Sequence, residues 1–385
     1  MDFANYQYEI YFQGLAGVVP QLPASYDDLE ARAREELEDG PFGYVAGGAS
    51  SEDTVAANRE AFRRWRLVPR MLVDIDVRDL STQVLGQDLI APVALAPVGV
   101  QSIVHPEAEV ATARAASSVG IPFTLSTVSS KPLEEVAEAA GDGPRWFQLY
   151  WPGEVELAAS LMQRAKDAGY TAVFVTLDTK MLAWRPRDID GAYLPFLVGE
   201  GLANYTTDPV FTDPLEVSAE DDLQAAVLRW AQVFLNKKAT WDDLASLREH
   251  TDLPLVLKGV LHPDDARRAV DHGMDGIVVS NHGGRQVDGE LATLDALPNV
   301  AAAVDGQLDI LFDSGIRTGA DVVKAVALGA KAVLLGRPYV WGLALGGEDG
   351  VRHVVRSLLA DLDLTMAMSG FTSLADLEPG ILRRI

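Results

Sequence analysis

The chain has 385 residues, 48% of them hydrophobic, which fits one large α/β domain with an ample core or two smaller ones. With no cysteine it excludes disulfides, thiolate metal sites and cysteine nucleophiles, and it fits a reducing cytoplasm. A formal charge of −24 repels nucleic acid and anionic membranes, so any anionic substrate needs local arginines to enter.

The N-terminal MDFANYQYEIYFQG has acids and no basic region, so it does not read as a secretory leader. No uninterrupted apolar run approaches the ~20 residues that span a bilayer. In SYDDLEARAREEL, Ser25 is placed to cap a helix whose first turn carries acids. Gly40, Gly43, Gly47 and Gly48 break the next segment around Tyr44. Residues 1–90 are expected to form a helical cap on the same domain, whose body spans 91–370. Eight apolar runs rich in Val, Ile and Leu follow: Ala91–Pro97, Pro122–Val128, Arg145–Trp151, Thr171–Thr179, Pro254–Val260, Gly276–His282, Asp309–Gly315 and Ala332–Arg337. Their composition is that of strands buried on both faces, and helical patterns such as PEAEVATARAASSVG lie between most of them. Eight βα units in series predict a single (β/α)8 TIM barrel. The spacing breaks once, between the fourth and fifth runs. There, residues 190–236 are polar but carry Tyr193, Phe196, Tyr205 and Phe211; a long loop insertion acting as a lid over the site is expected, with Tyr205 among the residues that keep it closed.

Barrel enzymes assemble their sites from the carboxyl ends of the strands. GIVVSNHGGRQVDG, residues 276–289, is the most telling end. A buried strand delivers Ser280, Asn281 and His282, Gly283 and Gly284 allow a sharp turn, and Arg285 follows. A base and a fixed positive charge three residues apart suit holding an anionic substrate while taking its proton. His105 and His262 precede prolines and read as turn caps. No second His or acid stands at ligand spacing from His282, so no metal is expected. DSGIRTGAD (313–321) and GRP (336–338) end the last two runs. Gly315 and Gly336 let backbone N–H groups approach an anion, while Arg317 and Arg337 supply charge, as at the recurrent phosphate site of barrels. No dinucleotide fingerprint accompanies it, which points to a mononucleotide or a phosphorylated substrate. Lys258 ends LVLKG and needs an anionic partner, either as a Schiff-base amine or as a charge facing a cofactor that becomes anionic. Ser126, Gln148, Tyr150, Thr176 and Asp178 end runs two to four. Arg185 and Arg187 in WRPRD join Arg285 as candidate carboxylate clamps, but both cannot easily point inward around Pro186, so one is expected at the surface.

Together SNHGGRQVDG, DSGIRTGAD, LLGRP, VLKG, FQLY and VTLDT resemble the FMN-dependent α-hydroxy acid oxidases and dehydrogenases, over essentially the whole chain. EIYFQGLAGVVPQLPASY, WRPRD, PFLVG with NYTTDPVF, and FDSGIRTGADVVKA resemble the lactate 2-monooxygenase branch. The resemblance implies FMN as cofactor, a small 2-hydroxy acid and O2 as reactants, no nucleic-acid or membrane partner, and a homotetramer or homo-octamer. It implies His282 as the base with Asp178 stabilising its protonated form. Arg285, Arg185 and Tyr44 hold the substrate carboxylate, and Tyr150 touches the substrate oxygen. Pro97, Val98, Gly99, Ser126, Gln148 and Thr176 line the flavin ring, and Lys258 faces the ring edge where negative charge accumulates. Ser280 reaches the ribityl region; Asp313, Gly315, Arg317, Gly336 and Arg337 hold the ribityl chain and phosphate. Gly99 stands where many members carry Ala, and the missing methyl is expected to leave room beside the flavin. The implied reaction converts L-lactate and O2 to acetate, CO2 and water. Release of a 2-keto acid and hydrogen peroxide, from lactate or a mandelate-type substrate, is the alternative. A non-redox phosphate-binding barrel using Lys258 is a more distant one.

Overall fold

All eight apolar runs are strands in the computed structural model, which describes residues 2–385. They are β1 (Val93–Leu95), β2 (Phe123–Ser126), β3 (Arg145–Tyr150), β4 (Val173–Thr176), β5 (Leu255–Lys258), β6 (Gly276–Val279), β7 (Asp309–Phe312) and β8 (Ala332–Leu335). Each pairs in parallel with its sequence neighbours, and β8 pairs with β1 to close the barrel. Helices follow the strands and cover the outside, so nearly every strand residue is buried, as the unbroken apolar runs require.

The two-residue period of a strand then decides what fills the barrel. Ala94, Trp146, Phe174, Val256, Val278, Leu311 and Leu334 form a cluster separate from the outer core, with Trp146 stacked on Phe174 at 5.1 Å. Stepping on by two along the same strands reaches Gln148, Thr176, Lys258, Ser280, Asp313 and Gly336. The polar strand ends are thus the last inward layer of an otherwise apolar interior. At the opposite mouth a hairpin, Thr82–Val84 with Gln87–Leu89, acts as a plug: Val84, Leu85 and Leu89 join the interior cluster, and Gln87 accepts from the Trp146 indole at 3.1 Å.

The residues before the hairpin build four helices, Asn5–Leu15, Tyr26–Glu36, Asp39–Ala46 and Asp53–Arg63. Ser25 caps the second by accepting from the Asp28 N–H. His105 and His262 likewise accept from backbone N–H groups two residues on, as turn caps. The last helix, Arg337–Ser369, kinks at Gly346 and Gly347 and runs beside the cap. The segment between β4 and β5 carries its own short helices, including Pro186–Asp190, Ala203–Thr206, Pro209–Thr212 and Leu223–Val233. It is packed rather than open: Phe196, Tyr205, Phe211 and Trp230 are all buried, and Asn204 donates to the Thr127 carbonyl at 3.0 Å while accepting from the Leu133 N–H at 2.8 Å. Among the described residues no helix is long and apolar enough to cross a membrane.

Candidate active site

A cleft opens at the carboxyl ends of the strands. The turn after β6 sets its chemistry. His282, Gly283 and Gly284 all take left-handed backbone conformations, with φ of 55°, 67° and 75°. Glycine adopts this without cost, but histidine does not, and such strain is held only where surroundings over-determine it. Those surroundings are the Ser280 hydroxyl, which accepts from the His282 N–H, and the Ser314 hydroxyl, which accepts from the Gly283 N–H. Behind the turn, Asn281 and Asn58 exchange side-chain amide hydrogen bonds of 2.8 and 2.9 Å in full burial. The imidazole is thereby thrown into the cleft.

Asp178 lies beside it, with Oδ1 2.9 Å from His282 Nδ1. Burial pushes the Asp178 carboxyl up, but His282 and Lys258 more than offset this, and it is held below the usual carboxylate range. An ionised Asp178 accepts from Nδ1–H, which leaves Nε2 as a free acceptor. His282 itself is pushed below its ordinary value, by burial first, with Asp178 opposing. Asp178 raises the basicity of His282, as expected, but burial wins, so the ring is a neutral base at neutral pH.

Four guanidiniums line the same cleft, those of Arg185, Arg285, Arg317 and Arg337. Arg285 Nη1 donates to the carbonyls of Tyr44 (2.6 Å) and Gly47 (2.7 Å). Arg337 donates to the carbonyls of Val45, Gly47 and Gly283. Apart from Gly283, these acceptors are the carboxyl end of the cap helix Asp39–Ala46, whose partial negative charge holds both cations without neutralising them. Burial, with Arg185 and Arg337 nearby, pushes Arg285 down to about 9. Arg185 is buried and donates to the Arg285 carbonyl and to Gln286, whose own amide donates to the Asp178 carbonyl at 3.0 Å. Arg187 points outward and pairs with Glu52, which resolves the WRPRD pair. Tyr44 lies under the Arg285 guanidinium at 5.1 Å, and Tyr150 packs edge-on against Phe234 at 5.0 Å.

At the other end Lys258 donates to Ser280 (2.9 Å) and pairs with Asp313 (3.0 Å). Burial pushes the ammonium down, but Asp313 and Asp178 more than compensate, so it stays charged. Ser126, Gln148 and Thr176 form a buried relay: Ser126 donates to Gln148 at 3.0 Å and Gln148 to Thr176 at 2.8 Å. Arg317 stacks on Tyr26 at 3.8 Å, and its Nε is buried without a partner. Burial pushes Arg337 down to about 10. Among the described residues none of Arg285, Arg317 and Arg337 forms a salt bridge, in a chain of charge −24. Lined by Gly283, Gly315 and Gly336 and bounded by the amino ends of the helices from Gly319 and Arg337, this end fits a phosphate. The Pro97, Val98 and Gly99 backbone at the middle of the cleft fits the edge of a planar ring. The residues present therefore fit FMN.

Two expectations need correction. A Cβ on Gly99 would lie 2.4 Å from the Val128 carbonyl oxygen and 2.6 Å from its Cγ2, so the space of the missing methyl is taken up by close packing on the β2 loop and is not left open. Tyr205 is fully buried and does not line the cleft; from the insertion and its flank, Leu182, Arg185, Phe196 and Phe234 do. The reason is that an insertion this long needs a small core of its own, which takes Tyr205 and Phe211, while Phe196 and Phe234 reach the cleft. Sequence reasoning missed Thr179, which donates to Asp178 at 3.0 Å, and Ser314, Gln286 and the Asn58 partner of Asn281. Thr179 and Gln286 directly follow residues already singled out; nothing local marks Asn58.

A family model described as FMN-dependent dehydrogenase matches residues 33–384. The chain is 45% identical over 389 residues to the FMN-dependent alpha-hydroxy acid dehydrogenase qulF of Penicillium citrinum, covering 100% of this chain and 97% of that protein. It is 43% identical over 357 residues to an L-lactate oxidase of Lysinibacillus sphaericus (strain C3-41), covering 93% and 92%. Among solved structures, mandelate oxidase with (S)-4-hydroxymandelic acid superposes with a TM-score of 0.83 at 40% identity, over 94% of this chain and 98% of that one. With likeness along the whole barrel and a cleft that suits the cofactor, the chain belongs to the FMN-dependent dehydrogenase family, and FMN is its cofactor.

Proposed function

We propose that this protein oxidises a small L-2-hydroxy acid, and that L-lactate with O2 yields acetate, CO2 and water. The observation that carries the reading is the convergence of a neutral His282 held by an ionised Asp178, the buried Arg185 and the partly buried Arg285 on one cleft. A carboxylate held by the two guanidiniums and by Tyr44 places the 2-hydroxyl against His282 Nε2. His282 takes the hydroxyl proton, and Asp178 stabilises the imidazolium that forms. Bound FMN would supply the two-electron redox chemistry between substrate and O2. Lys258 supplies a fixed positive charge at the edge where electron density collects. Tyr150 lies in the same wall and can hold the substrate oxygen.

The balance for lactate is one O2 consumed, with two electrons and two protons leaving the substrate to give pyruvate and hydrogen peroxide. If both stay under one roof they combine, C1 leaves as CO2, and acetate and water result. Support for retention comes from the roof itself. Phe196, Trp230 and Phe234 stack at 4.8 and 4.4 Å, and Phe196 also meets Tyr44 at 6.4 Å. Phe196 and Phe234 line the cleft with Trp230 stacked between them, and through Tyr44 they join the insertion to the cap. Release of 2-keto acid and peroxide is the second reading, favoured by the similarity to an L-lactate oxidase and to mandelate oxidase. Aerobic turnover of L-lactate, with acetate, pyruvate and hydrogen peroxide all measured, separates the two. Stoichiometric pyruvate and peroxide would move the protein to the second reading; L-mandelate in the same assay tests acyl size.

A further inference from the structure

Beneath the cavity wall formed by Ala96, Pro97, Val98 and Gly99 lies a polar network that the reaction does not use. Glu109, on the helix Ala108–Val119, is fully buried. Its Oε1 accepts from the backbone N–H groups of Gln101 and Ser130, both at 3.1 Å. Its Oε2 is buried with no partner, and among the described residues no Lys or Arg pairs with it. The network continues through Gln101. Its Nε2 donates to the Val98 carbonyl (2.9 Å) and to the Tyr339 hydroxyl (3.2 Å), and its Oε1 accepts from Thr112 (2.6 Å). Tyr339 donates to the Ala96 carbonyl at 2.9 Å. The wall is strained where it is tied: Val100 is left-handed at φ 51°, with its N–H on the Val128 carbonyl. A packing role does not call for a carboxyl here, because an amide oxygen accepts the same two N–H groups without the cost of a buried charge.

We propose that Glu109 is a positioning residue for the flavin: it pins the 96–101 wall to the β2 loop and sets the charge behind the face on which the ring lies. The inference rests on placing the ring against Pro97, Val98 and Gly99. Burial pushes the Glu109 carboxyl up to about 7, against the pull of the Gln101 and Ser130 N–H groups. It is therefore protonated below that value and ionised above it, stabilised by the Gln101 and Ser130 N–H groups and by Ser129, with no cation paired to it. Tyr339 on the last helix and Tyr170 ahead of β4 are the titratable groups that face it; burial raises both, so both stay neutral. A negative charge behind an anionic cofactor weakens its binding. The charge of FMN lies on its phosphate rather than on the oxidised ring, so taking roughly 10 Å as the shortest separation and an effective dielectric near 20, the expected effect is at most about tenfold.

The test is FMN rebinding to apo-protein, read by quenching of flavin fluorescence at pH 6, 7 and 8. Wild type and Glu109→Gln share any titration of the FMN phosphate, so their Kd ratio isolates Glu109. The ratio should rise from pH 6 to pH 8, by at most about tenfold, because Gln accepts the same N–H groups but cannot ionise. Glu109→Ala, with folding checked by circular dichroism, should bind FMN at least ~10-fold more weakly at pH 6 through loss of the two N–H acceptors. Thr112→Val, a milder change, should weaken FMN about threefold by releasing Gln101. A Kd ratio constant with pH, or a folded Glu109→Ala and a Thr112→Val that both bind FMN within twofold of wild type, overturns the proposal. Arg317→Ala without effect on FMN would instead locate the error in the placement of the cofactor.

Discussion

Asp178→Asn isolates the electrostatic part of the base. Thr179 donates to Oδ1, the oxygen that also meets His282 Nδ1, whereas Oδ2 is buried with no partner. An asparagine therefore turns its carbonyl to the Oδ1 position, keeps the Nδ1–H tautomer, and removes only the charge. With charge centres about 4 Å apart and an effective dielectric near 20, the carboxylate stabilises an imidazolium by about 4 kcal/mol. That corresponds to about three pK units of basicity. The proton is only partly transferred in the transition state, so the expected loss is about 10²- to 10³-fold, within the range for a positioned base. The pH dependence has a definite sign. His282 already titrates below its ordinary value, because burial outweighs Asp178. The acid limb of kcat/KM in the wild type should lie below pH 6.5, with rate gained as pH rises through it. Without Asp178 the limb must move further down while the plateau falls. The assay is anaerobic rapid mixing with substrate, following bleaching of the flavin absorbance from pH 4.5 to 8, with FMN content matched. An unchanged plateau, or a limb that moves up, would refute the role of Asp178 as the stabiliser of protonated His282.

His282→Gln should retain FMN and fold but lose at least ~100-fold in turnover; near-normal rates in a flavinated variant would remove His282 from the mechanism. Arg285→Lys or Arg185→Lys keeps the charge but loses the fork, so kcat/KM should fall ~10- to 100-fold, and the methyl ester of the hydroxy acid should be a poor substrate; equal rates for ester and acid would dismiss the clamp. Phe196→Ala or Phe234→Ala should shift lactate products from acetate toward pyruvate and peroxide, whereas Tyr205→Ala should act on stability, lowering it by about 3 to 5 kcal/mol in a denaturant titration. Gly99→Ala should displace the Val128 backbone and lower FMN content; a fully flavinated, equally stable variant with only an altered product ratio would contradict the contact distances.

The barrel was legible because its strands are buried on both faces and so read as continuous apolar runs, whatever their partners. His282, Lys258, Asp313 and Arg337 were legible because each ends such a run, and the carboxyl end of a barrel strand can only face one mouth. Gly283 and Gly284 marked the turn because backbone of positive φ leaves a trace in composition; that His282 shares the conformation leaves none. The rest depends on distance in space. Which arginine of WRPRD faces inward was decided by Gln286 and the Arg285 carbonyl on one side and by Glu52 on the other, all remote in sequence. The cation cradle at the end of Asp39–Ala46, the Asn58 pair of Asn281 and the burial of Tyr205 follow the same rule. A local pattern records only the secondary structure and exposure of its own segment, whereas the charge, strain and closure of this cleft are set by segments that meet only once the chain has folded.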